Sequence, residues 1–409
     1  MSGHAPPDTT PDAIPEALPD TIPDTARRVD PVGPVGAADV ADRAGPVGAA
    51  DPVDVVCLGE SMVTFLPSRP GRLADVPSFT RAIGGAESNV ACALAAAGHR
   101  ARWVGRVGAD GFGDHLVDTI GAHGVDVTAV GRDPRRPTGI YFRTDEDRAT
   151  DAHEVVYYRA GSAASAMSPA TVPYESVAGA RILHLTGITA ALSGDCLALV
   201  RELTARRPGR PLVSFDVNHR PALWRDGDAP GVLLELARRA DVVFVGADEA
   251  ERLWGLRRAR EVFEAVSGPG VVVVKLGGGG AVATDGEART GAVDGVLVPA
   301  PRVDVVSPIG AGDAFAAGFL SATLRGLDLR TRLRHGHLMA AAALTVPGDL
   351  AVPPRRDRLD RLAALGDAAW GTLHLGPGWT EADEKDPGRT GGGPEGPGRT
   401  GDDQEVRTP

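Results

Sequence analysis

The string Ile309-Gly310-Ala311-Gly312-Asp313-Ala314-Phe315 joins small residues to one carboxylate at the head of a stretch, 313–325, that reads as a helix. Small residues at 310–312 let the backbone come close to a ligand, and a helix start adds free N–H groups and the positive end of the helix dipole. Asp313 is there placed to accept a proton from an alcohol while backbone amides hold phosphoryl oxygens. The dipole alone also favours an Asp in a first helical turn, so the string by itself leaves both readings open.

Three further strings carry chemistry. Lys275-Leu276-Gly277-Gly278-Gly279-Gly280 follows the most hydrophobic run in the chain and makes room either for a ligand or for a hairpin-like turn into AVATDG. In Asp216-Val217-Asn218-His219-Arg220-Pro221, alternate residues offer an acceptor, a neutral donor and a cation to one crevice, which suits a carboxylate-bearing sugar acid. A capped helix start with Arg220 in a surface ion pair fits the same residues. Gly84-Gly85-Ala86-Glu87-Ser88-Asn89 exposes backbone amides before a helix, or simply enters one. Neither lysine of the chain, Lys275 or Lys385, follows a glycine, so GxxxxGK[ST] is absent and P-loop nucleotide binding is excluded. His335 and His337 have no third ligand near them in sequence and read as a helix-surface pair.

The elements that must position these strings are short β-branched runs at 53–59, 101–108, 181–187, 211–217, 241–246 and 270–278, alternating with Ala-rich helical stretches at 87–97, 111–123, 195–206, 228–239 and 313–325. Continuous apolar strands separated by helices predict a doubly wound, mostly parallel sheet with helices on both faces. Residues 62–82 and 138–160 break the rhythm with alternating polar and apolar residues and predict a small antiparallel β element inserted beside the carboxyl ends of the main strands, where it acts as a lid. Its open edge offers a route to a homo-oligomer. Residues 1–52, with GPVGAAD at 33–39 and again at 45–51, and residues 376–409, with PGRTG repeated, cannot build a core and are expected to be disordered. The GxGxxG matches at Gly391 to Gly401 have no strand before them and carry nothing. One domain, 53–375, is expected between the tails.

A hydrophobic fraction of 43% with 24% charged residues is the profile of a globular chain, and a net charge of −11 leaves no electrostatic footprint for nucleic acid. No apolar run is long enough to span a membrane and no secretory signal opens the chain, so a cytoplasmic protein is expected. Cys57, Cys92 and Cys196 are far apart in apolar runs and read as reduced and structural.

The order of these elements resembles the PfkB (ribokinase-like) carbohydrate kinase family across 53–355: a GGxxxN helix entry at Gly84 to Asn89, an inserted β element, a late Gly-rich strand end and the GAGDAF string. Within it, YYRAGSAASAMSP at 157–169, LTGITAALS at 185–193 and DVNHRPALW at 216–224 are most similar to 2-keto-3-deoxygluconate kinases. The resemblance implies a ribokinase-like α/β fold, ATP and Mg²⁺ as cofactors, and Asp313 as the catalytic base beside Gly310, Ala311 and Gly312. It implies that Tyr157, Arg159 and Arg220 hold the sugar acid, with Gly84, Gly85, Asn89, Asn218 and Tyr141 as neighbouring contacts. Lys275, Gly277, Gly278, Gly280, Gly310 and Gly312 then line the ATP side, and Glu249 orders magnesium through water. The pattern departs at Ser307, where the family has an acidic residue in DTTGAGD, and at Gly246, where Asn-x-x-Glu loses its Asn. The expectation is phosphorylation of 2-keto-3-deoxygluconate at its 6-hydroxyl. A neutral-sugar kinase of the fructose or ribose type is the alternative, followed by a non-catalytic sugar-binding regulator.

Overall fold

A computed structural model describes residues 53–69, 71–144, 154–224, 227–285 and 295–381; residues 1–52 and 382–409, with the Gly391–Gly401 matches, lie outside the described residues. In chain order the strands are β1 (Val55–Leu58), β2 (Met62–Pro67), β3 (Phe79–Gly84), β4 (Ala101–Val104), β5 (Arg106–Gly108), β6 (Gly131–Asp133), β7 (Ile140–Arg143) and β8 (Val155–Tyr158). They continue as β9 (Ile182–Thr186), β10 (Leu212–Asp216), β11 (Val242–Gly246), β12 (Val271–Lys275), β13 (Ala281–Asp285), β14 (Val296–Val298), β15 (Arg302–Val303) and β16 (His374–Leu375). The main sheet has the order β14-β13-β12-β11-β10-β9-β1-β4, parallel from β12 to β4 and antiparallel at β13 and β14.

Both faces of this sheet are covered, which is why its parallel strands are apolar at nearly every position. Along β1 the side chains alternate between two cores: Val55 and Cys57 join one cluster, Val56 and Leu58 the other. Phe244 of β11 packs edge-on against Phe315 and Phe319 of the helix Ala311–Leu324, with ring centroids 6.2 and 5.3 Å away. Aromatic pairs in this geometry add to plain area burial, and here they fix that helix, with Asp313 in its first turn, above the strand ends.

Two expectations about the strands change. The run 101–108 is not one strand: it breaks at Gly105, β4 stays in the main sheet and β5 pairs with β6 in a separate ribbon. A side chain at 105 has no room, since its Cβ would lie 2.6 Å from the Trp103 ring. The inserted sheet, ordered β3-β2-β7-β8, is mixed rather than wholly antiparallel, because β2 and β7 run parallel while the outer pairs are antiparallel. Strand period two sends Tyr141 and Arg143 to one face and Phe142 to the other, where it stacks on Phe65 at 4.8 Å.

His335 and His337 are also not on a helix surface. Both are buried, at 1% and 5% exposure, in the helix Leu329–Leu344. His337 donates from Nε2 to the Val298 carbonyl at 3.1 Å and packs on Phe315, and burial pushes its pKa down to about 4. No helix among the described residues is long and apolar enough to cross a membrane. The tail expected from 376 begins too early: residues 376–381 are described, and the Trp379 side chain is buried in the main core, a tertiary contact that local composition does not reveal.

Candidate active site

Ligands of open α/β sheets bind outside the carboxyl ends of the strands, at the point where strand order reverses. Here the chain leaves β1 toward β4 on one side and β9 on the other, and the strand ends supply Glu60 after β1, Asp216 on β10, Gly246 on β11 and Lys275 on β12. They open into a cavity of about 1,000 Å³, roofed by the lid through Tyr141, Arg143, Tyr157 and Arg159 and floored by Gly310, Ala311, Gly312 and Asp313. Every sequence-predicted residue lines it: Gly84, Gly85 and Asn89, Asn218 and Arg220, Glu249, and Gly277, Gly278 and Gly280 together with those just named.

The helix carrying Asp313 begins at Gly310 in the left-handed region, φ 74°. A Cβ on Gly310 would meet the Asp349 carbonyl oxygen at 2.3 Å, so the position demands glycine on both counts. The first amides of a helix have no partner inside it. The N–H of Ala314 closes on the Gly310 carbonyl, which leaves those of Ala311, Gly312 and Asp313 at the cavity.

Asn89, from the helix Ala86–Ala96, donates its amide to Asp313 Oδ2 at 2.9 Å. Burial at the cavity floor raises the Asp313 carboxyl to about 7; the Asn89 hydrogen bond opposes this, the Asp216 charge adds to it, and Lys275 and Arg220 pull it down. A carboxyl raised toward neutrality is in the range that suits proton transfer near pH 7.

Charge pairing decides what else the cavity offers. Lys275 Nζ sits 2.8 Å from Asp216 Oδ2; burial lowers its pKa, but the charges of Asp216 and Glu249 outweigh that and hold it above its usual value. Arg159 pairs with Glu60, a carboxylate only 2% exposed that also accepts from Ser162 Oγ at 2.7 Å. Arg143 pairs with Asp349, and Arg252 with Asp248. Arg220 is exposed and lines the cavity, and among the described residues its side chain bonds only to its neighbour's carbonyl, at 3.3 Å. Among the described cations of the cavity it alone has no carboxylate partner. The two arginines predicted from sequence thus share one pocket, but Glu60 already balances one of them.

Glu249, in the helix Ala247–Trp254, holds the turn that presents Arg220. Its Oε1 accepts from His219 N at 2.7 Å and its Oε2 from Gly246 N at 2.8 Å. Next to the His219 anchor Asn218 takes φ 37°, the single positive φ of a non-glycine residue among those described; such a conformation persists where neighbours over-determine it. Burial first and the Asp216 charge next raise the Glu249 pKa. Replacing Glu249 with alanine orphans two backbone donors, and an unsatisfied buried donor costs about 1–3 kcal/mol. The expected result is a lower urea midpoint with unchanged m-value; a midpoint equal to wild type would show that the turn holds without it.

Glu60, Asp216 as the partner of Lys275, Arg143 and Asp349 were not found as site residues from sequence. Glu60 had a signal, a charged residue one glycine past the end of a fully apolar strand. Arg143 had another, the same face as Tyr141 at strand period two.

The chain was compared with known proteins. The model of the pfkB family carbohydrate kinases matches residues 53–355. A 2-dehydro-3-deoxygluconokinase of Bacillus subtilis (strain 168) is 36% identical over 313 residues, covering 75% of this chain and 94% of that one. A second protein of that name, from Thermoproteus tenax, is 35% identical over 319 residues, covering 76% and 95%. Among solved structures, an uncharacterized sugar kinase from Pyrococcus horikoshii in complex with ATP superposes with a TM-score of 0.66 at 26% identity, covering 77% of this chain and 99% of its own.

Proposed function

Because the chain belongs to the pfkB family and is a carbohydrate kinase, we propose that it phosphorylates 2-keto-3-deoxygluconate at the 6-hydroxyl, with ATP as donor and ADP as by-product. The observation that carries the choice of an acid is the unpaired Arg220 beside Asn218: a lone guanidinium in a cavity whose other cations are balanced calls for an anionic group on the ligand. The two 2-dehydro-3-deoxygluconokinases among its relatives support the same reading.

In this mechanism the sugar lies under the lid, between Tyr141, Tyr157, Arg159 and Arg220, with Gly84, Gly85 and Asn218 against it. ATP takes the side of Lys275, Gly277, Gly278 and Gly280. Asp313 removes the proton of the 6-hydroxyl as its oxygen attacks the γ-phosphorus in line and the bond to the β–γ bridging oxygen breaks. Asn89 fixes the orientation of the Asp313 carboxylate, and the amides of Ala311 to Asp313 hold the transferred charge. Closure of the lid keeps water from competing as acceptor.

Magnesium enters with ATP. It needs only one or two protein carboxylates and keeps several waters. Each Glu249 oxygen accepts one N–H, so each retains a lone pair; burial first and then the Asp216 charge raise its pKa, and a cation would relieve the second. Glu249 would therefore hold the ion through water, and the ion would neutralise charge on the phosphates.

A specific observation favours a second reading. Glu60 cancels Arg159, so the sugar end carries one net cation rather than two, and a neutral keto sugar would meet less mismatch than two free arginines imply. Coupled ADP release with Mg-ATP and a panel of 2-keto-3-deoxygluconate, fructose, ribose and gluconate separates the two. The highest kcat/KM on the keto-deoxy acid supports the first; turnover confined to fructose or ribose replaces it with the second.

The pH dependence follows from Asp313. Its raised pKa means that the protonated, inactive form accumulates as pH falls through about 7. At saturating ATP, kcat/KM for the sugar should lose about tenfold per pH unit below that point. A profile flat from pH 5.5 to 8 would remove Asp313 from the role of base.

A further inference from the structure

We propose that Asp349 is a positioning residue that latches the lid to the Gly310 turn, tying the sugar-facing side of the cavity to its phosphate-facing side; this rests on the kinase reading above. Asp349 lies in the loop after the helix Leu329–Leu344 and lines the cavity. Three contacts meet on it. Its Oδ1 accepts from Arg143 Nη2 at 3.0 Å, in a pair whose side chains are only 5% and 7% exposed. Its Oδ2 accepts from the Tyr141 hydroxyl at 3.4 Å. Its backbone carbonyl lies over Gly310, near enough that a Cβ there would be 2.3 Å away.

Arg143 and Tyr141 are alternate residues of β7, so one carboxylate holds the inward face of the lid at two points. The same residue's main chain confines the turn from which the Asp313 helix starts. A buried ion pair is a weak source of stability but a strict one of geometry, because neither charge can leave without its partner. Lid and helix start thus share one fixed residue although they belong to separate sheets and layers.

The latch also settles the polarity of Tyr141. Its hydroxyl proton is directed at Asp349, whose charge, after burial, pushes the phenol pKa up and keeps that proton in place. With its proton given to Asp349, the Tyr141 hydroxyl has only acceptor capacity left for a ligand in the cavity it lines, which suits a sugar hydroxyl and repels a carboxylate. Gly84 has to be small for this arrangement: a Cβ there would be 2.1 Å from the Tyr141 hydroxyl and 3.0 Å from Asp349 Oδ2. The anionic end of an acid substrate is thereby directed away from Tyr141, toward Arg220.

The test uses the full chain as wild type, as Asp349→Asn and as the double variant Arg143→Met/Asp349→Asn, which removes both charges so that none is left buried and unpaired. Hydrogen exchange is followed in peptides spanning 140–143, 307–312 and 345–351, with KM for sugar and for ATP measured separately. In both variants the lid and the 307–312 turn should lose protection together, and the sugar KM should rise about tenfold with the ATP KM within about twofold, as expected for a misplaced contact. Faster exchange confined to 345–351, or a double variant with wild-type sugar KM, would overturn the latch. If the wild type phosphorylates none of the sugars offered, the substrate reading fails, and exchange at 140–143 and 307–312 still decides the latch.

Discussion

Asp313→Asn is expected to lower kcat by about 10²-fold or more, the usual contribution of a positioned general base, while KM for sugar and for ATP stays within about threefold. The substitution keeps the shape of the side chain and a partner for the Asn89 amide, which donates to Oδ2 across 2.9 Å in the wild type. What it removes is the ability to take the proton of the attacking hydroxyl. Stability should move the other way, and its pH dependence carries the sign. The carboxyl is raised from 3.8 to about 7 in the folded protein, mainly by burial, so its ionised form weakens the fold. That burden is absent below the unfolded value, grows as pH rises from about 4 to about 7, and is constant above. The gain in Tm of Asp313→Asn over wild type should therefore widen across that window and level off by pH 8. A variant with wild-type kcat would exclude Asp313 as the base, whereas a Tm gain independent of pH would show that its carboxyl is not held up by burial.

Arg220→Ala carries the second large effect. A hydrogen bond to a charged group contributes about 1.5–3 kcal/mol, so loss of the cation should raise KM for 2-keto-3-deoxygluconate by about 10- to 100-fold. Fructose or ribose, which have no carboxylate, should lose less than about threefold, and the preference for acids should collapse accordingly. The comparison between substrates is the informative part. Equal losses on acid and neutral sugars would place Arg220 on the phosphate groups common to both reactions. Little stability is at stake, because the side chain is exposed and, among the described residues, bonds only to the His219 carbonyl.

These two residues contrast in how they could be read. The string around Asp313 leaves a base and a dipole-favoured first-turn Asp both open, and the structure adds its raised pKa and its Asn89 partner. Arg220 was legible as a cation near the cavity, but its weight in substrate choice depends on which other cations are neutralised. Arg159 had been given equal standing, and Glu60 beneath it removes that equality. The resemblance makes Glu249 a magnesium residue; what the structure shows is that Oε1 holds the turn at His219 and Oε2 caps its own helix at Gly246.

Backbone signals are local, and these the sequence determined. Apolar runs marked the parallel strands, small residues before Asp313 marked a close-approach helix start, and the two interruptions of the βα rhythm marked the lid. Charge balance is not local, and only the tertiary structure decided it. Asp216 and Lys275 are 59 positions apart, Glu60 and Arg159 are 99, and Arg143 and Asp349 are 206. No pattern of period two or 3.6 spans such separations. Coulomb pairing depends on distances of a few ångströms and on burial, and both are fixed only when the sheet order brings the strand ends together. The same reason buried His335 and His337: their helix is covered by neighbours from distant parts of the chain, which a helical period alone does not reveal.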